Sequence, residues 1–549
     1  MKKILFALSV LIYLSACNSN KYSDGETTDS EGKNAKSESE KKITKRDYSV
    51  TAANAYNDLF FDSLVLIKFL DENKIDASVS RRMRSFYNAR NFQYAWFSTN
   101  GLTEQARGFW NMHNYYKTTT NDSTLKDKQL QGKMDNLIAE DSLKISGSDK
   151  NILNTELKLT QQFIVFSLNN VEDGYLKRKE MEKFIPIKKT DAIALADSLI
   201  AKKHKDNKYY EDKNESFKKL KAALVMYVNI SKSGGWPAIT ASAKKMKPGS
   251  ASPEIGLLKK RLQITSDLPG NDTTLVYDEA LASGIKNFQV RYGYTPTGIL
   301  SEGQIKDLNV PVLKHIKQIL INMGRMQWMI NEPLGKLMLV NIPEFILHVK
   351  DGKSKVFDMN VVVGKEGHNT TMFTGNLNQV VFSPYWNVPV SIVKKEIIPG
   401  IAKNPNYIAE HEMEITGQSG DLPVVRQLPG EKNSLGKVKF LFPNSFDIYF
   451  HDTPSKSLFE KDKRAYSHGC IRLSEPSKLA EYLLNDDASW GAENINAAMN
   501  SGEEQFVKVK KPVPVLITYY TAWVDDNGML HFADDIYGHD AEIAAKMFL

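Results

Sequence analysis

The sequence predicts a multi-domain α+β protein, with helical domains in its N-terminal half and a mainly-β domain at its C-terminal end. Apolar residues recur at helical spacing from about residue 48 to residue 250, in stretches such as NAYNDLFFDSLVLIKFLDEN. Three shorter helices are predicted between residues 251 and 312. From Leu337 the chain changes to short Val- and Ile-rich runs that alternate apolar and polar side chains, which is typical of strands.

The composition is that of a folded chain. The 549 residues are 42% hydrophobic and 25% charged, which excludes a mainly disordered protein. The net charge of +7 is spread along the sequence, so a dense basic face and a nucleic-acid partner are not expected. Cys17 and Cys470 are the two cysteines of the sequence, too few for a disulfide framework, and we expect neither a metal nor another cofactor.

The N-terminus, MKKILFALSVLIYLSAC, has the pattern of an export signal. Two lysines precede the apolar run Ile4–Leu14, which is too short for a stable membrane span but suits a signal peptide. Leu14-Ser15-Ala16-Cys17 resembles a bacterial lipoprotein signal, which implies a signal peptide at residues 1–17 and a lipidated Cys17. A short transmembrane helix and an ordinary signal with an incidental cysteine remain alternatives. The polar residues 18–47 predict a disordered tether.

Two helical domains are expected to follow the tether. Residues 48–250 predict a helical scaffold, in which the aromatic-rich segment FYNARNFQYAWF packs the core. In residues 251–312, helices are predicted around Ile255–Leu262, Asp278–Tyr292 and Ser301–Leu308. The Phe288-Gln289 pair and the Thr297-Gly298 turn of this bundle resemble a small three-helix peptidoglycan-binding domain. A linker helix is expected over residues 313–336.

Residues 337–549 are predicted to form the mainly-β domain. Strand-like runs include LMLVNIPEFILHVKDG, KVFDMNVVVGK and KVKFLFPN, and the Asp351-Gly352 dipeptide predicts a hairpin. The stretch Ser391–Gln427 has mixed helical and loop character. We interpret it as an inserted lid subdomain over the site that the sheet forms.

Cys470 lies in the segment HDTPSKSLFEKDKRAYSHGCIRL, close to His451, His468 and Arg472. A helix is predicted from Pro476, and its dipole together with the nearby positive charge would favour the thiolate, the nucleophilic form. A strand ending at His451 would place that imidazole beside the thiol as a general base. A buried, inert thiol in a turn is the alternative. A metal site is less favoured, because the spacing matches no common ligand pattern.

The same segment resembles the signature of the YkuD-type L,D-transpeptidases, in which a histidine precedes Ser/Thr-His-Gly-Cys by about fifteen residues. VNIPEFILHV, FSPYWNVPVSIVKKEIIP and RQLPGEKNSLGKVKFLFPN are similar to the larger, multi-domain periplasmic branch of that family. The resemblance implies a helical scaffold, a three-helix peptidoglycan-binding bundle and a mainly-β L,D-transpeptidase catalytic domain with an inserted lid.

The resemblance also implies roles for individual residues. Cys470 would be the nucleophile and His451 the general base, with the backbone carbonyl of Asp452 orienting the imidazole. Arg472 would hold the cysteine loop or a substrate carboxylate. Backbone N–H groups of the cysteine loop would form the oxyanion hole, and the loop is shaped by Ser467, His468 and Gly469. The residues expected at the substrate cleft, with packing as the rival explanation, are Tyr449, Trp386, Asn433 and Gly436.

The activity implied is a third-to-third cross-link between peptidoglycan stem peptides, formed through a cysteine thioester with release of terminal D-alanine. The expected partners are stem peptides, glycan strands and a membrane reached through the N-terminal lipid, for a monomer exported to the periplasm of a Gram-negative-type bacterium. Carbapenems are expected to acylate Cys470. Water, a D-amino acid or an envelope protein remains an alternative acyl acceptor. A papain-like protease and a non-catalytic wall-binding lipoprotein remain alternative functions.

Overall fold

The structure, a computed structural model, describes residues 42–120, 123–139, 143–171, 185–201, 215–328 and 335–549. The predicted signal peptide, Cys17 and most of the predicted tether lie outside the described residues. Within those ranges, no helix is both long and apolar enough to cross a membrane. The end of the predicted tether is wrong, because Arg46 Nε donates to Asn91 Oδ1 (2.7 Å) and Asp47 N donates to Asn88 O (2.9 Å). Those residues are part of the helical domain.

The helical domain packs around a cluster of aromatic side chains. Phe86, Tyr87, Trp96, Phe109 and Phe163 are at most 2% exposed, which confirms the prediction that the aromatic segment packs the core. A two-stranded hairpin joins two of its helices. The elements are α1 Ser63–Glu72, α2 Ala77–Ala89, β1 Phe97–Ser98, β2 Gly101–Leu102, α3 Glu104–Thr120, α4 Lys128–Ala139, α5 Lys150–Val171, α6 Ala192–Ile200 and α7 Glu215–Lys232.

The three helices predicted for the small bundle are present as α8 Pro253–Ile264, α9 Glu279–Arg291 and α10 Glu302–Leu308. They enclose a separate core that includes Leu258, Ile285 and Phe288. A capping box starts α10, because Ser301 Oγ accepts from Gln304 N and the Gln304 side chain accepts from Ser301 N.

The helix expected to be a linker is instead a core element. It is α11, Val312–Met326, and its buried residues Ile316, Ile319, Leu320 and Met323 belong to the core of the helical domain. The prediction of a helix over residues 313–336 is therefore wrong in both extent and role. The apolar residues recur on one face of α11 because that face packs between α6, α7 and the C-terminal segment.

The C-terminal half contains a sheet in the strand order β12-β5-β13-β11-β10-β6-β14-β3-β4, and β4 also pairs with β5. Eight of these strands therefore form a closed barrel, and β12 pairs with β5 as an additional strand. The pairs β11–β13, β12–β5 and β14–β3 are parallel. The bounds are β3 Lys336–Asn341, β4 Ile346–Asp351, β5 Ser354–Gly364, β6 Phe373–Phe382, β10 Val438–Leu441, β11 Phe450–His451, β12 Ala465–Ser467, β13 Ile471–Leu473 and β14 Gln505–Thr518.

The predicted hairpin between β4 and β5 is confirmed, since Asp351 pairs with Ser354 across a two-residue turn. The run Leu337–Gly352, which reads as one strand-like stretch, forms two antiparallel strands instead. It reverses at a short 3₁₀ turn, Ile342–Glu344, where Phe345 adopts a left-handed conformation (φ 60°).

Residues 386–427 form the subdomain inserted into the sheet. It contains β7 Trp386–Asn387, α12 Val390–Ile392, a π-helical turn Val393–Ile397, α13 Ile398–Lys403, α14 Tyr407–Glu410, β8 Met413–Ser419 and β9 Leu422–Gln427. Its strands form a sheet in the order β7-β9-β8 over a small core of its own. The expectation of mixed helix and loop therefore missed the strands, and we call residues 386–427 the capping subdomain.

Strand β3 and the C-terminal part of β14, residues 515–518, are buried on both faces. Met338, Val515 and Ile517 face the core of the sheet, whereas Leu337 and Leu516 face the core of the helical domain. After β14 the chain continues through β15 Ala522–Val524, β16 Leu530–Phe532 and α17 His539–Met547. Buried residues of these elements, among them Phe532, Ile543 and Phe548, pack in the helical-domain core. The C-terminal 30 residues therefore do not belong to a separate catalytic module. Between β13 and β14, the chain forms the helices α15 Pro476–Leu484 and α16 Ala492–Met499.

Candidate active site

Two short parallel strands bring the predicted catalytic residues together. In the β11–β13 pair, His451 lies opposite Arg472, and Ile471 N donates to Tyr449 O (3.2 Å), which aligns Tyr449 with Cys470. Side chains two residues apart in a strand point to the same face. Tyr449, His451, Cys470 and Arg472 therefore share one face of the sheet, while Phe450 and Ile471 between them point into its core.

The spacing between His451 and Cys470 follows from this topology. Parallel neighbours cannot be joined by a tight hairpin, so the chain must cross over before it returns. The crossover contains the 3₁₀ turn Lys456–Glu460 and strand β12, which pairs with β5. The number of residues between His451 and Cys470 is therefore set by the length of this crossover.

His451 is 4% exposed and held in one orientation. Its Nδ1 lies 2.5 Å from the backbone carbonyl oxygen of Asp452, the contact that the family resemblance implies. A carbonyl only accepts, so we assign the proton to Nδ1, which leaves Nε2 as an acceptor. Burial and, secondarily, the Arg472 charge lower the pKa of His451 to about 3, so the imidazole is neutral at neutral pH.

The Asp452 carboxylate anchors the segment that holds His451. Oδ1 accepts from Thr453 N (2.7 Å) and Lys456 Nζ (2.5 Å), and Oδ2 accepts from Lys437 N (2.9 Å). A Cβ added at Gly436, which has φ +60°, would lie 2.4 Å from the Asp452 carboxyl carbon. Gly436 is therefore required for this close approach.

Asn433 does not contact the cleft, which corrects its predicted role in substrate binding. It is fully buried. Its Nδ2 donates to Pro384 O (3.0 Å) and Leu428 O (2.8 Å), and its Oδ1 accepts from Leu435 N (2.8 Å). Asn433 thus fastens the loop before β10 to the base of the capping subdomain, and Gly436 likewise shapes the wall through Asp452.

Cys470 is half-buried, and its Sγ donates to the carbonyl oxygen of Asp447 (3.5 Å). Burial raises the pKa of the Cys470 thiol to about 11, and a nearby Arg472 opposes that shift only weakly. The expectation that a helix dipole favours the thiolate is wrong, because β13 separates Cys470 from α15, which begins at Pro476. Among the residues that the structure describes, no hydrogen bond joins Sγ to the His451 ring.

The loop before Cys470 is held from inside. Ser467 Oγ donates to Cys470 O (2.5 Å) and accepts from Gly469 N (3.1 Å). Gly469 has φ +113°, which favours glycine. The Gly469 N–H is therefore engaged within the loop. In the described part of the chain, the amides of His468 and Cys470 make no hydrogen bond and stay available to a developing oxyanion.

The capping subdomain contacts this loop where Glu396 Oε1 lies 3.3 Å from His468 Nε2, which is an ion pair when His468 is protonated. Burial lowers the pKa of His468, and Glu396 opposes that shift. The ring of His468 also lies 4.9 Å from that of His368. His468 is exposed. It therefore links the capping subdomain to the cysteine loop and does not support that loop from the protein interior.

Thr370 and Tyr537 support the other side of the loop, and neither was predicted from the sequence. Thr370 Oγ1 donates to Gly469 O (2.7 Å) and accepts from Gly364 N (2.9 Å). Tyr537 Oη donates to Gly364 O (2.7 Å) and accepts from Thr370 N (3.1 Å). Neither residue lies near the cysteine motif in sequence, so only tertiary structure reveals this support.

The remaining predicted cleft residues differ in position. The Tyr449 ring lies 5.8 Å from the His451 ring, and burial raises the pKa of Tyr449, with the Cys470 thiol acting in the same direction. Trp386 is half-buried at the start of the capping subdomain, where it packs on that core. Arg472 keeps a solvent-shielded Nε–H that has no hydrogen-bond partner among the described residues. A bound acceptor could therefore use that donor.

Comparisons with known proteins assign the parts of the chain. Residues 335–515 match the family described as the "L,D-transpeptidase catalytic domain", named YkuD. Residues 81–224 match a "Scaffold domain", and residues 251–307 match a "Putative peptidoglycan binding domain". Residues 335–515 are thus similar to an enzyme domain. More particularly, residues 335–515 are similar to the YkuD-type L,D-transpeptidase catalytic domain, and the preceding residues 251–307 are similar to a family described as a peptidoglycan-binding domain, within a multi-domain α+β fold.

The individual relatives are similar to only part of this chain. A Haemophilus influenzae protein named "Putative L,D-transpeptidase" is 32% identical over 222 residues, which cover 38% of this chain and 45% of that protein. The chain thus spans less than half of the length of this curated relative. Solved L,D-transpeptidase structures from Stackebrandtia nassauensis (14% identity, 50% of this chain, 94% of that chain, TM-score 0.21) and Mycobacterium smegmatis (14%, 33%, 58%, 0.18) are also similar.

Proposed function

We propose that this protein is a peptidoglycan L,D-transpeptidase that forms third-to-third cross-links through a thioester on Cys470. The observation that carries the proposal is the shared face of β11 and β13, which aligns a thiol, a neutral imidazole and a guanidinium inside a domain of the matching family. An imidazole with a free Nε2 and a fixed Nδ1–H is suited to general-base catalysis.

In the acylation step, Sγ of Cys470 attacks the carbonyl carbon between the diamino acid at the third stem position and terminal D-alanine. His451 Nε2 takes the thiol proton and transfers it to the nitrogen of D-alanine as the C–N bond breaks. The high thiol pKa and the low imidazole pKa favour a neutral pair over a preformed ion pair, so proton transfer accompanies attack. We assign the oxyanion to the amides of His468 and Cys470 and a substrate carboxylate to the guanidinium of Arg472.

In the transfer step, the side-chain amine of a second stem attacks the thioester carbonyl. A new C–N bond forms, the C–S bond breaks, and His451 moves the amine proton to the departing thiolate. Water in place of the amine gives an L,D-carboxypeptidase, and an envelope-protein lysine gives protein attachment. These acceptors differ only in the second step.

The acylation step is tested by intact-protein mass spectrometry with a carbapenem. The wild-type chain is expected to gain one adduct, and Cys470→Ala is expected to gain none. We expect His451→Gln to acylate roughly 10²–10⁴-fold more slowly, since it loses the base. His411→Gln, an exposed histidine in the capping subdomain, is the matched control and should acylate like wild type. An adduct that survives Cys470→Ala would contradict the assignment.

The acceptor is tested with disaccharide-tetrapeptide muropeptides, because only transpeptidation yields a cross-linked dimer, whereas hydrolysis yields a tripeptide monomer. The location is part of the same proposal. We place the protein in the periplasm, anchored by lipid on Cys17, since domains that act on peptidoglycan require export. Mass analysis of the N-terminal peptide from cells tests this anchor, and an unmodified Cys17 would refute it.

A further inference from the structure

Two segments leave the sheet side by side at the cysteine loop. Strands β5 and β12 pair in parallel, with Gly364 opposite Ser467, so Lys365 and His468 are the next residues on the two strands. Lys365 N donates to Ser467 O (3.0 Å), which keeps the segments together beyond the last pair. The turn that follows β5 therefore lies beside the loop that carries Cys470.

This turn is short and brings His368 back onto the cysteine loop. His368 N donates to the carbonyl oxygen of Lys365 (2.9 Å), and Gly367 between them has φ +77°. The His368 ring meets the ring of His468 edge-on, with the two centroids 4.9 Å apart. Lys365, His368 and His468 thus form a cluster of basic side chains, which we call the basic rim.

The basic rim carries charge that the protein leaves largely unpaired. Within the described ranges, the side chains of Lys365, which is exposed, and His368, which is half-buried, make no ion pair and no hydrogen bond. Glu366, the acid between them, is exposed and makes no ion pair in the same ranges. Besides burial, the charges of Lys365 and His368 lower the pKa of His468, so they act on one ring. A negatively charged ligand would be attracted to this position.

A carboxylate of the protein itself occupies the basic rim. Glu396 Oε1, from the capping subdomain, lies 3.3 Å from His468 Nε2. The Glu396 side chain is 52% exposed and that of His468 is 34% exposed, and such an exposed contact is weak. Glu396 lies in the π-helical turn of the cap, where Val393 and Ile397 are the buried residues. Its side chain can therefore turn away while the core of the cap stays packed.

A substrate carboxylate fits the position that Glu396 takes. In the proposed acylation, Cys470 Sγ attacks the carbonyl carbon that is bonded to the nitrogen of terminal D-alanine. The carboxylate carbon of D-alanine follows that nitrogen by two bonds, so its oxygens lie within about 5 Å of the attacked carbon. This carboxylate must therefore lie close to the cysteine loop, to which His468 belongs.

We propose that the basic rim is a carboxylate subsite for the stem peptide, and that Glu396 stands in for the substrate carboxylate until a peptide displaces it. The proposal rests on the proposed transpeptidase function. The subsite is separate from the carboxylate assigned to Arg472, because Arg472 follows Cys470 in the chain whereas His468 precedes it. Lys365 and His368 attract the substrate carboxylate, and Glu396 competes with it.

The test compares iodoacetate with iodoacetamide on a Cys17→Ser chain, in which Cys470 is the remaining cysteine. Both reagents react with the same thiolate, so the ratio of their rate constants cancels the thiol pKa and reports the attraction of a carboxylate beside Sγ. We expect Lys365→Gln to lower the iodoacetate/iodoacetamide ratio about two- to fivefold, the size of an exposed ion pair, and Lys365→Arg to preserve it. Glu396→Gln should raise the ratio, because it removes the competing carboxylate.

Lys353→Gln is the matched control, because this exposed lysine lies in the turn at the opposite end of β5. It should leave the ratio unchanged. The subsite is overturned if Lys365→Gln leaves the ratio unchanged or if Lys353→Gln lowers it equally. An unchanged ratio in Glu396→Gln overturns the stand-in role. The expected changes in ratio without any carbapenem adduct would support the subsite and overturn only the proposed function.

Calorimetric titration of the Cys470→Ala chain identifies which carboxylate of the stem is bound. The probes are a disaccharide-tetrapeptide and the same compound with its terminal D-alanine as the amide. Adding Lys365→Gln should weaken binding of the acid about two- to fivefold and leave binding of the amide unchanged. An equal loss with both probes would assign the subsite to another carboxylate of the stem. No loss with either probe overturns the assignment to the stem peptide.

Discussion

The protonation state of Cys470 leads to a prediction about its chemical reactivity. Burial raises the pKa of the thiol from its usual 9.0 to about 11. At pH 7 the thiolate fraction then falls from about 1 in 10² to about 1 in 10⁴, a difference of about 2.7 kcal/mol. Because a small alkylating reagent reacts with the thiolate, we expect Cys470 to react about 100-fold more slowly than an unperturbed thiol at that pH.

The assay measures iodoacetamide alkylation of a Cys17→Ser variant, in which Cys470 is the remaining cysteine, by mass spectrometry from pH 6 to pH 10. The rate constant should rise about tenfold per pH unit and reach no plateau below about pH 10. The same protein in denaturant is the control, since unfolding removes the burial and should bring the plateau to lower pH. A plateau near pH 7 in the folded protein would show a preformed thiolate–imidazolium pair and refute the neutral-pair interpretation.

Three further substitutions probe the supports of the site. Gly436→Ala should destabilise the protein by roughly 1–3 kcal/mol in chemical denaturation, since its Cβ would collide with the Asp452 carboxyl at positive φ; unchanged stability would mean that the loop relaxes freely. Asp452→Asn should cost about 1–3 kcal/mol and slow carbapenem acylation, because it weakens bonds to Lys437 N and Lys456 and leaves the His451 segment less fixed. Glu396→Gln should lower the pKa of His468 in an NMR titration, as the carboxylate favours the charged imidazole; a raised pKa would contradict the contact.

The sequence was most informative where periodicity was long or a turn was specific. The three helices of the bundle and the Asp351-Gly352 hairpin were predicted because local patterns determine them. Strand β8, in the stretch interpreted as mixed helix and loop, was missed, since a mostly exposed strand shows little alternation of apolar and polar residues. The role of α11 was missed because burial on one face looks the same in a linker helix as in a core helix.

For the site, the motif located Cys470 and His451, and the register of two strands explains why they meet. Electrostatics could not be obtained from the motif. The expected thiolate stabilisation failed because desolvation outweighs the Arg472 charge. Asn433 lies in a motif-like segment, yet its amide bonds only to backbone groups of the loop and of Pro384, and Thr370 contributes to the site from outside any motif. Such roles depend on tertiary contacts between distant segments.

Strand β3 and the C-terminal part of β14, residues 515–518, have no solvent-facing side, since Leu337 and Leu516 are buried against helices while their neighbours are buried in the sheet. Removal of the helical domain would expose these apolar rows on adjacent strands, a template for aggregation. Expression of residues 335–549 alone should therefore give insoluble protein. By the same reasoning, the helical domain and the sheet should melt in a single calorimetric transition, and homologous catalytic domains could be exchanged between such proteins only together with their helical partner.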